Sequence, residues 1–286
     1  MLKSEKIVEA LSCPICGLPM TVENKGCGVL YCNGEKRHLY DFSASGYVNL
    51  APPSQSNGGD AKNAVKARTA FLNTGYYAPI AQKLCELLHK YCSDAGVVVD
   101  AGCGEGYYSE EILKNKFTVF GFDLSKHAVE YAAKRAKRTD AENSFFAVAS
   151  VFALPLKDNS ADAVVNVFAP CVEDEYSRVL KDNGILIAVH AGKEHLLGLK
   201  RAIYETAHFN DERADLPQNM EILEGEALKY TITVHGNDNI KNLFAMTPYY
   251  WRTSKDDIEK LNFMDEIETE IDIMFSVYRK TGLESI

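Results

Sequence analysis

Two groups of residues in this chain have the types and spacing to do chemistry. The first stands at the front, in "CPICGLPMTVENKGCGVLYCNGEKRH". Cys13 and Cys16 form a C-x-x-C pair, and Cys32 and His38 follow with five residues between them. Thiolate and imidazole are ordinary zinc ligands, and four of them close a tetrahedral structural site. Such an ion stabilises a module too small to form its own core. We therefore expect one structural Zn2+ per chain on Cys13, Cys16, Cys32 and His38. Cys27, in "KGCGV", competes for either later position. A redox role for the C-x-x-C pair is the weaker reading, because no βαβ pattern surrounds it.

The second group is "VDAGCGEG". It places Asp100 at the end of an apolar run, followed by Gly102, Gly104 and Gly106. Glycines at such a turn let the backbone bend sharply and approach a ligand closely. Asp123 ends the next apolar run, at about the 20-residue spacing where a carboxylate holds ribose hydroxyls. A dinucleotide enzyme spaces its glycines G-x-G-x-x-G, to cradle a pyrophosphate. Here they run G-x-G-x-G, with an acid two residues before the first. That acid suits a cofactor without pyrophosphate, and it can accept hydrogen bonds near the cationic amino-acid part of S-adenosyl-L-methionine. The spacing favours a methyltransferase over a dehydrogenase. As single residues, Asp100 also reads as a strand-end cap and Asp123 as a turn acid.

A third stretch, "VFAPC" (167–171), follows another apolar run and is expected to line the pocket of the methyl acceptor. Phe168 is a candidate to stack on a base, with core packing as its alternative. Cys171, after a proline, stands where cytosine-C5 methyltransferases carry their nucleophile; a small packed thiol is the other reading.

These residues need elements to hold them. "GVVVDAG", "FTVFGFDL", "SFFAVAS", "ADAVVNVF" and "GILIAVHA" read as buried strands, separated in part by helical stretches such as "YYSEEILKN" and "SKHAVEYAAKRAKR". Alternation of this kind implies an α/β fold with a doubly wound, mostly parallel sheet of the S-adenosylmethionine-dependent methyltransferase type. "LKYTITVHG" and "EIETEIDIMFSVYRK" alternate with period two and read as later, partly antiparallel strands. Composition divides the chain into three parts. Residues 1–50 form the zinc module, 51–92 a linker ("APPSQSNGGD") and helical segment, and 93–286 the Rossmann-like methyltransferase domain.

No apolar run approaches the roughly 18–20 residues that span a bilayer. The N-terminal stretch has no secretory h-region, so a cytosolic protein with reduced cysteines is expected, and metal rather than disulfides. The net charge of −9 argues mildly against a nucleic-acid partner. Its distribution argues back: residues 61–91 hold five Lys or Arg against one acid, residues 114–138 seven against two, and the acids gather in 256–272. A chain acidic overall can still present a basic surface.

Together these features resemble the RlmA family of bacterial 23S rRNA (guanine-N1)-methyltransferases. The resemblance runs almost the whole length, through "YDFSASGYVNL", "ARTAFLNTGYYAPI", "DAGCGEGYYS", "FGFDLSKHAVEYAAKR", "VASVFALP", "FAPC", "EHLLGLKRAIYE" and "MTPYYWR". It implies methyl transfer from S-adenosylmethionine to N1 of a guanine in a hairpin loop of 23S rRNA. It also implies a zinc module used in RNA recognition, and a homodimer. Carried over position by position, it implies cofactor contacts at Tyr77, Gly104, Glu105 and His195. The spacers between Cys16 and Cys32 and between Cys32 and His38 are longer than in the family's short-spacer members. Two rivals are a small-molecule methyltransferase and a non-catalytic RNA-binding protein that keeps cofactor affinity. Measured transfer to rRNA separates both from the family reading.

Overall fold

The computed structural model describes residues 4–23, 27–52, 54, 59–211, 217 and 220–281. Of the expected linker at 51–60, positions 53 and 55–58 lie outside the described residues.

The chain opens with a short helix α1 (Glu5–Ala10). A three-stranded antiparallel sheet follows: β1 (Met20–Glu23), β2 (Val29–Cys32) and β3 (Leu39–Asp41). Next come β4 (Val48–Asn49), α2 (Lys62–Leu72) and α3 (Ala78–Tyr91). The expected alternation then appears: β5 (Val97–Ala101), α4 (Tyr107–Lys114), β6 (Thr118–Asp123), α5 (Lys126–Thr139), β7 (Ser144–Val148), β8 (Ala161–Val167), α6 (Glu173–Val179) and β9 (Leu180–Ala191). The last third holds α7 (Leu197–Ile203), β10 (Met220–His235), α8 (Asn237–Ala245), α9 (Lys255–Glu259) and β11 (Glu266–Lys280).

Eight strands form one sheet in the order β10-β11-β9-β8-β5-β6-β7-β4. Neighbours from β4 to β9 are parallel; β11 pairs antiparallel with both β9 and β10. Every residue of β5 is buried, as the continuous run "VVVDA" requires of a strand covered on both faces. Strand order reverses between β5 and β8. The loops after these strands therefore leave in opposite directions and open a crevice at their carboxyl ends, where ligands bind in such sheets.

The first fifty residues do not stand apart from this sheet. β4 pairs in parallel with β7. Ile7, Leu11, Met20, Leu30 and Phe42 share one core with Val99, Phe120, Phe145 and Leu156 of the sheet and its connections. Two backbone bonds pin the turn after α1: Ser12 N–H donates to Pro155 O, and Lys157 N–H to Ala10 O. Among the described residues, no helix is long and apolar enough to cross a membrane.

Candidate functional site

The glycine loop leaves β5 at the crevice. Gly102, Gly104 and Gly106 all have positive φ, at 85°, 53° and 75°. A Cβ on Gly102 would stand 2.6 Å from Ala169 Cβ, and one on Gly106 would stand 2.7 Å from Ala132 Cβ. These two glycines are thus required by the close approach of the 168–171 segment and of α5. Gly104 differs, since its open side faces only the guanidinium of Arg68.

Three carboxylates converge on the loop. Asp100 is 1% exposed and accepts a hydrogen bond from the Ser109 hydroxyl. Burial, with Asp123 and Glu105 nearby, pushes its carboxyl up to about 7. Asp123 accepts from Gly104 N–H at 3.1 Å and from Ser125 N–H at 2.7 Å. Burial raises its pKa, and those two N–H groups oppose the rise. Glu105, 2% exposed, accepts from Arg68 Nε at 2.6 Å. Arg68 also pairs with Asp60. The backbone at Gly59 and Asp60 lies against Ser125, whose hydroxyl donates to Asp60 O at 2.8 Å.

A second arm of the site reaches across the sheet. Tyr77, at the N-terminus of α3, is buried, and its hydroxyl lies 3.3 Å from His195 Nε2. The Asp272 N–H donates to His195 Nδ1 at 3.4 Å. In the neutral ring the proton therefore sits on Nε2, facing Tyr77. Burial pushes His195 down to about 4, so the ring is neutral at pH 7. Phe168 stacks on the His195 ring at 6.1 Å with 16° between planes. It is 43% exposed and holds φ at 55°, a conformation rare outside glycine. Core packing is thus not its role. Behind it, Asn166 Nδ2 and the Tyr176 hydroxyl both donate to Pro170 O, at 2.8 and 3.0 Å, which fixes the 167–171 turn. Cys171 is half-buried and packs against the sheet core.

The arrangement fits a cationic cofactor. Asp100, Glu105 and Asp123 face one fixed cation, Arg68, so a ligand carrying positive charge meets a favourable field. The Tyr108 hydroxyl, just past the loop, is buried with no hydrogen-bond partner among the described residues. A polar ligand atom would satisfy it.

At the front, Cys13, Cys16, Cys32 and His38 bring their ligand atoms within 4.8 Å of one another. His38 Nδ1 lies 3.5 Å from Cys13 Sγ and 3.4 Å from Cys32 Sγ. Tetrahedral zinc with bonds of about 2.0–2.3 Å sets its ligands roughly 3.5–3.8 Å apart, so the cluster fits the ion. The N–H groups of His38 and Gly34 hold the Cys32 thiol down at about 6, toward the thiolate a metal needs. Among the described residues Cys27 is not part of this group, and its thiol is exposed.

Sequence reading missed Arg68 as a site residue and counted it with the basic helix. Helical spacing held the signal: Arg68 shares a face with the buried Val65 and Leu72, whereas Lys62 and Lys66 point outward. Asp272 was also missed, because nothing local marks a residue brought in by strand pairing, and Tyr108, on the helix that opens after the loop, reads from sequence as packing. The expected basic faces are partly neutralised by ion pairs. Lys83 and Lys90 pair with Glu226 and Glu224 of β10, Lys114 with Glu111, Lys134 with Glu130, and Arg135 with Glu110. Lys62, Lys66, Lys116, Lys126 and Arg138 stay exposed.

Comparison with known proteins agrees with this geometry. Residues 93–246 match a family model described as "Methyltransferase domain". The chain is 31% identical to a 23S rRNA (guanine(748)-N(1))-methyltransferase of Streptomyces fradiae over 269 residues, which is 90% of this chain and 91% of that protein. It is 28% identical to the Bacillus subtilis (strain 168) protein YxjB, named for the same guanine-N1 reaction, over 91% of this chain and 94% of the relative. A Micromonospora griseorubida protein of that name is 32% identical over 66% of this chain and 68% of its own. With a glycine loop, acids and switch-point crevice of the S-adenosylmethionine-dependent methyltransferase kind already in place, the chain belongs to the RlmA family of 23S rRNA (guanine-N1)-methyltransferases.

Proposed function

We propose that the protein transfers a methyl group from S-adenosylmethionine to N1 of a guanine in a hairpin loop of 23S rRNA, and that it works as a homodimer. The observation that carries this reading is the similarity to a relative named for that reaction, which spans nine-tenths of both chains. S-adenosylmethionine, when bound, supplies a methyl group on a positively charged sulfur.

The chain's own residues then have separable tasks. Asp123 holds the ribose hydroxyls, Asp100 and Glu105 favour the cofactor's positive charge, and Gly102 and Gly104 let it approach the backbone. Tyr77 and His195 close the far side of the same site. Guanine N1 carries a proton and shares its lone pair with the ring. The base must leave its stack, and the proton must leave as the bond forms. Phe168, held outward by its backbone and backed by His195, offers a flat face to an extruded base. Alignment there, with water as proton acceptor, is the catalytic device. His195 holds its proton on Nε2, so it orients rather than abstracts. Cys13, Cys16, Cys32 and His38 hold a structural Zn2+ that shapes an RNA-contacting surface beside Lys36 and Arg37. Arg37 already lies over the Tyr31 ring.

Mass mapping of 23S rRNA from cells with and without the gene tests the proposal. One N1-methylguanine should disappear with the gene. Identical maps would refute it.

A further inference from the structure

Phe209, Tyr250 and Trp251 are exposed aromatic side chains beside Asn210 and Tyr249, which hydrogen bonds tie to the His195 side of the site. Phe209 is 50% exposed and lies under the Lys193 ammonium, 5.4 Å from the ring centroid. Tyr250 is exposed and Trp251 is 71% exposed, the two rings meeting edge to face at 5.1 Å. Soluble proteins seldom leave such rings in water together without a partner for them.

Asn210 ties this group to the site. Its Nδ2 donates to Gly192 O and His195 O, at 2.9 and 3.0 Å, and its Oδ1 accepts from the Tyr249 hydroxyl at 2.8 Å. Lys200, buried beneath, donates to Asn210 Oδ1 and lies over the Tyr249 ring at 4.8 Å. Tyr249 thus anchors a turn whose next two residues project outward. The path from Phe168 to Trp251 runs through His195, Asn210 and Tyr249 without a break.

We propose that Phe209, Tyr250 and Trp251 form a stacking surface for unpaired nucleotides that flank the target base. The inference rests on the rRNA reading above and deepens it. Single-stranded RNA is held by bases stacked on aromatic rings. Lys193 lies over the Phe209 ring and Arg252 follows Trp251 in the chain, both available to phosphate, while Asp256 and Asp257 come a few residues later. Binding here therefore depends on stacking more than on charge.

Trp251 is the chain's single tryptophan, so its fluorescence reports this turn alone. The full chain is titrated with a 23S rRNA hairpin transcript and with a fully paired RNA of equal length, while filter binding records affinity. The expected result is saturable quenching by the hairpin and little by the duplex. Trp251→Ala should weaken hairpin affinity about five- to hundred-fold, in line with the worth of one base–aromatic stack. Its salt slope should be unchanged, because no phosphate contact is lost. Trp251→Phe should recover much of the affinity, and calorimetry should show unchanged S-adenosylmethionine binding in both variants. Tight hairpin binding without quenching, equal in wild type and Trp251→Ala, would overturn the stacking surface while leaving the rRNA reading intact. No hairpin binding by the wild type would overturn both. Quenching that follows protein concentration without RNA would make the surface a self-association face and overturn the proposal.

Discussion

The cysteine–histidine cluster draws its four donors from residues 13–38, and every one sits on or beside an antiparallel hairpin of the same short sheet. The glycine-loop site collects Tyr77, Asp100, Asp123, Phe168 and His195 from the ends of α3, β5, β6, β8 and β9, with Asp272 added from β11. The first site is local, and in the proposed reading a bound Zn2+ holds its donors together. The second is long-range and is held by the sheet before any ligand arrives. Removing one donor from the first should therefore damage structure. Removing one from the second should damage binding and leave structure in place.

The largest effect is expected at Cys32. Its thiol is buried in the core that joins the front segment to the main sheet. Cys32→Ser should release zinc and cost more than about 4 kcal/mol of stability. Cys27→Ala, outside the cluster, should change neither metal content nor melting temperature. Elemental analysis with thermal melts reads both variants. Zinc kept in Cys32→Ser but lost in Cys27→Ala would reverse the ligand assignment.

Next is a contrast within the glycine loop. Gly102→Ala forces a side chain into the left-handed region and against Ala169, and should cost about 2–4 kcal/mol. Gly104→Ala meets only the guanidinium of Arg68, at 3.1 Å, and should cost about 1 kcal/mol of strain. Equal melting temperatures for the two would break the claim that the 168–171 segment packs against Gly102.

Smaller still is Asp123→Ala. It should weaken S-adenosylmethionine binding by about 2 kcal/mol through lost ribose contacts, with the fold kept. Calorimetry and a thermal melt on the same sample check both halves.

A pH-dependent effect follows from Asp100. Its folded pKa of about 7 lies above the unfolded value, so the apo protein holds an extra proton between about pH 4 and 7. Apo stability should fall as pH rises through that window. Affinity for the cationic cofactor should rise over the same window, because the carboxylate form is the one that attracts it. Asp100→Asn should flatten the affinity profile. A wild-type profile flat from pH 5 to 8 would remove Asp100 from the cation's field.

What the sequence disclosed divides along the same line as the two sites. Both local patterns were legible: the C-x-x-C pair with Cys32 and His38, and the glycine loop with Asp100 and Asp123. Their chemistry depends on spacing along the chain. The doubly wound sheet was legible too, because "VVVDA" and its neighbours are apolar throughout. The short strand at Val48–Asn49 was not. Two residues carry no period, and only their pairing with β7 makes them a strand. Arg68 was misjudged for a different reason. A count of charges along α2 ignores which face each one occupies, and Arg68 turns inward to Glu105. The residues that reach His195 from β11 lie some 80 positions away in the chain, beyond any local pattern.

Methyl transfer by purified protein tests the central claim most directly. The protein would be given isotopically labelled S-adenosylmethionine with an unmodified 23S rRNA hairpin transcript, and in parallel with free guanine nucleotides. Nuclease digestion and mass spectrometry would locate the label. A single labelled N1-methylguanine in the hairpin is expected, with loss of most of the rate in Phe168→Ala and no labelling of free nucleotides. Free nucleotides labelled as fast as the hairpin, or label on any atom other than guanine N1, would contradict it.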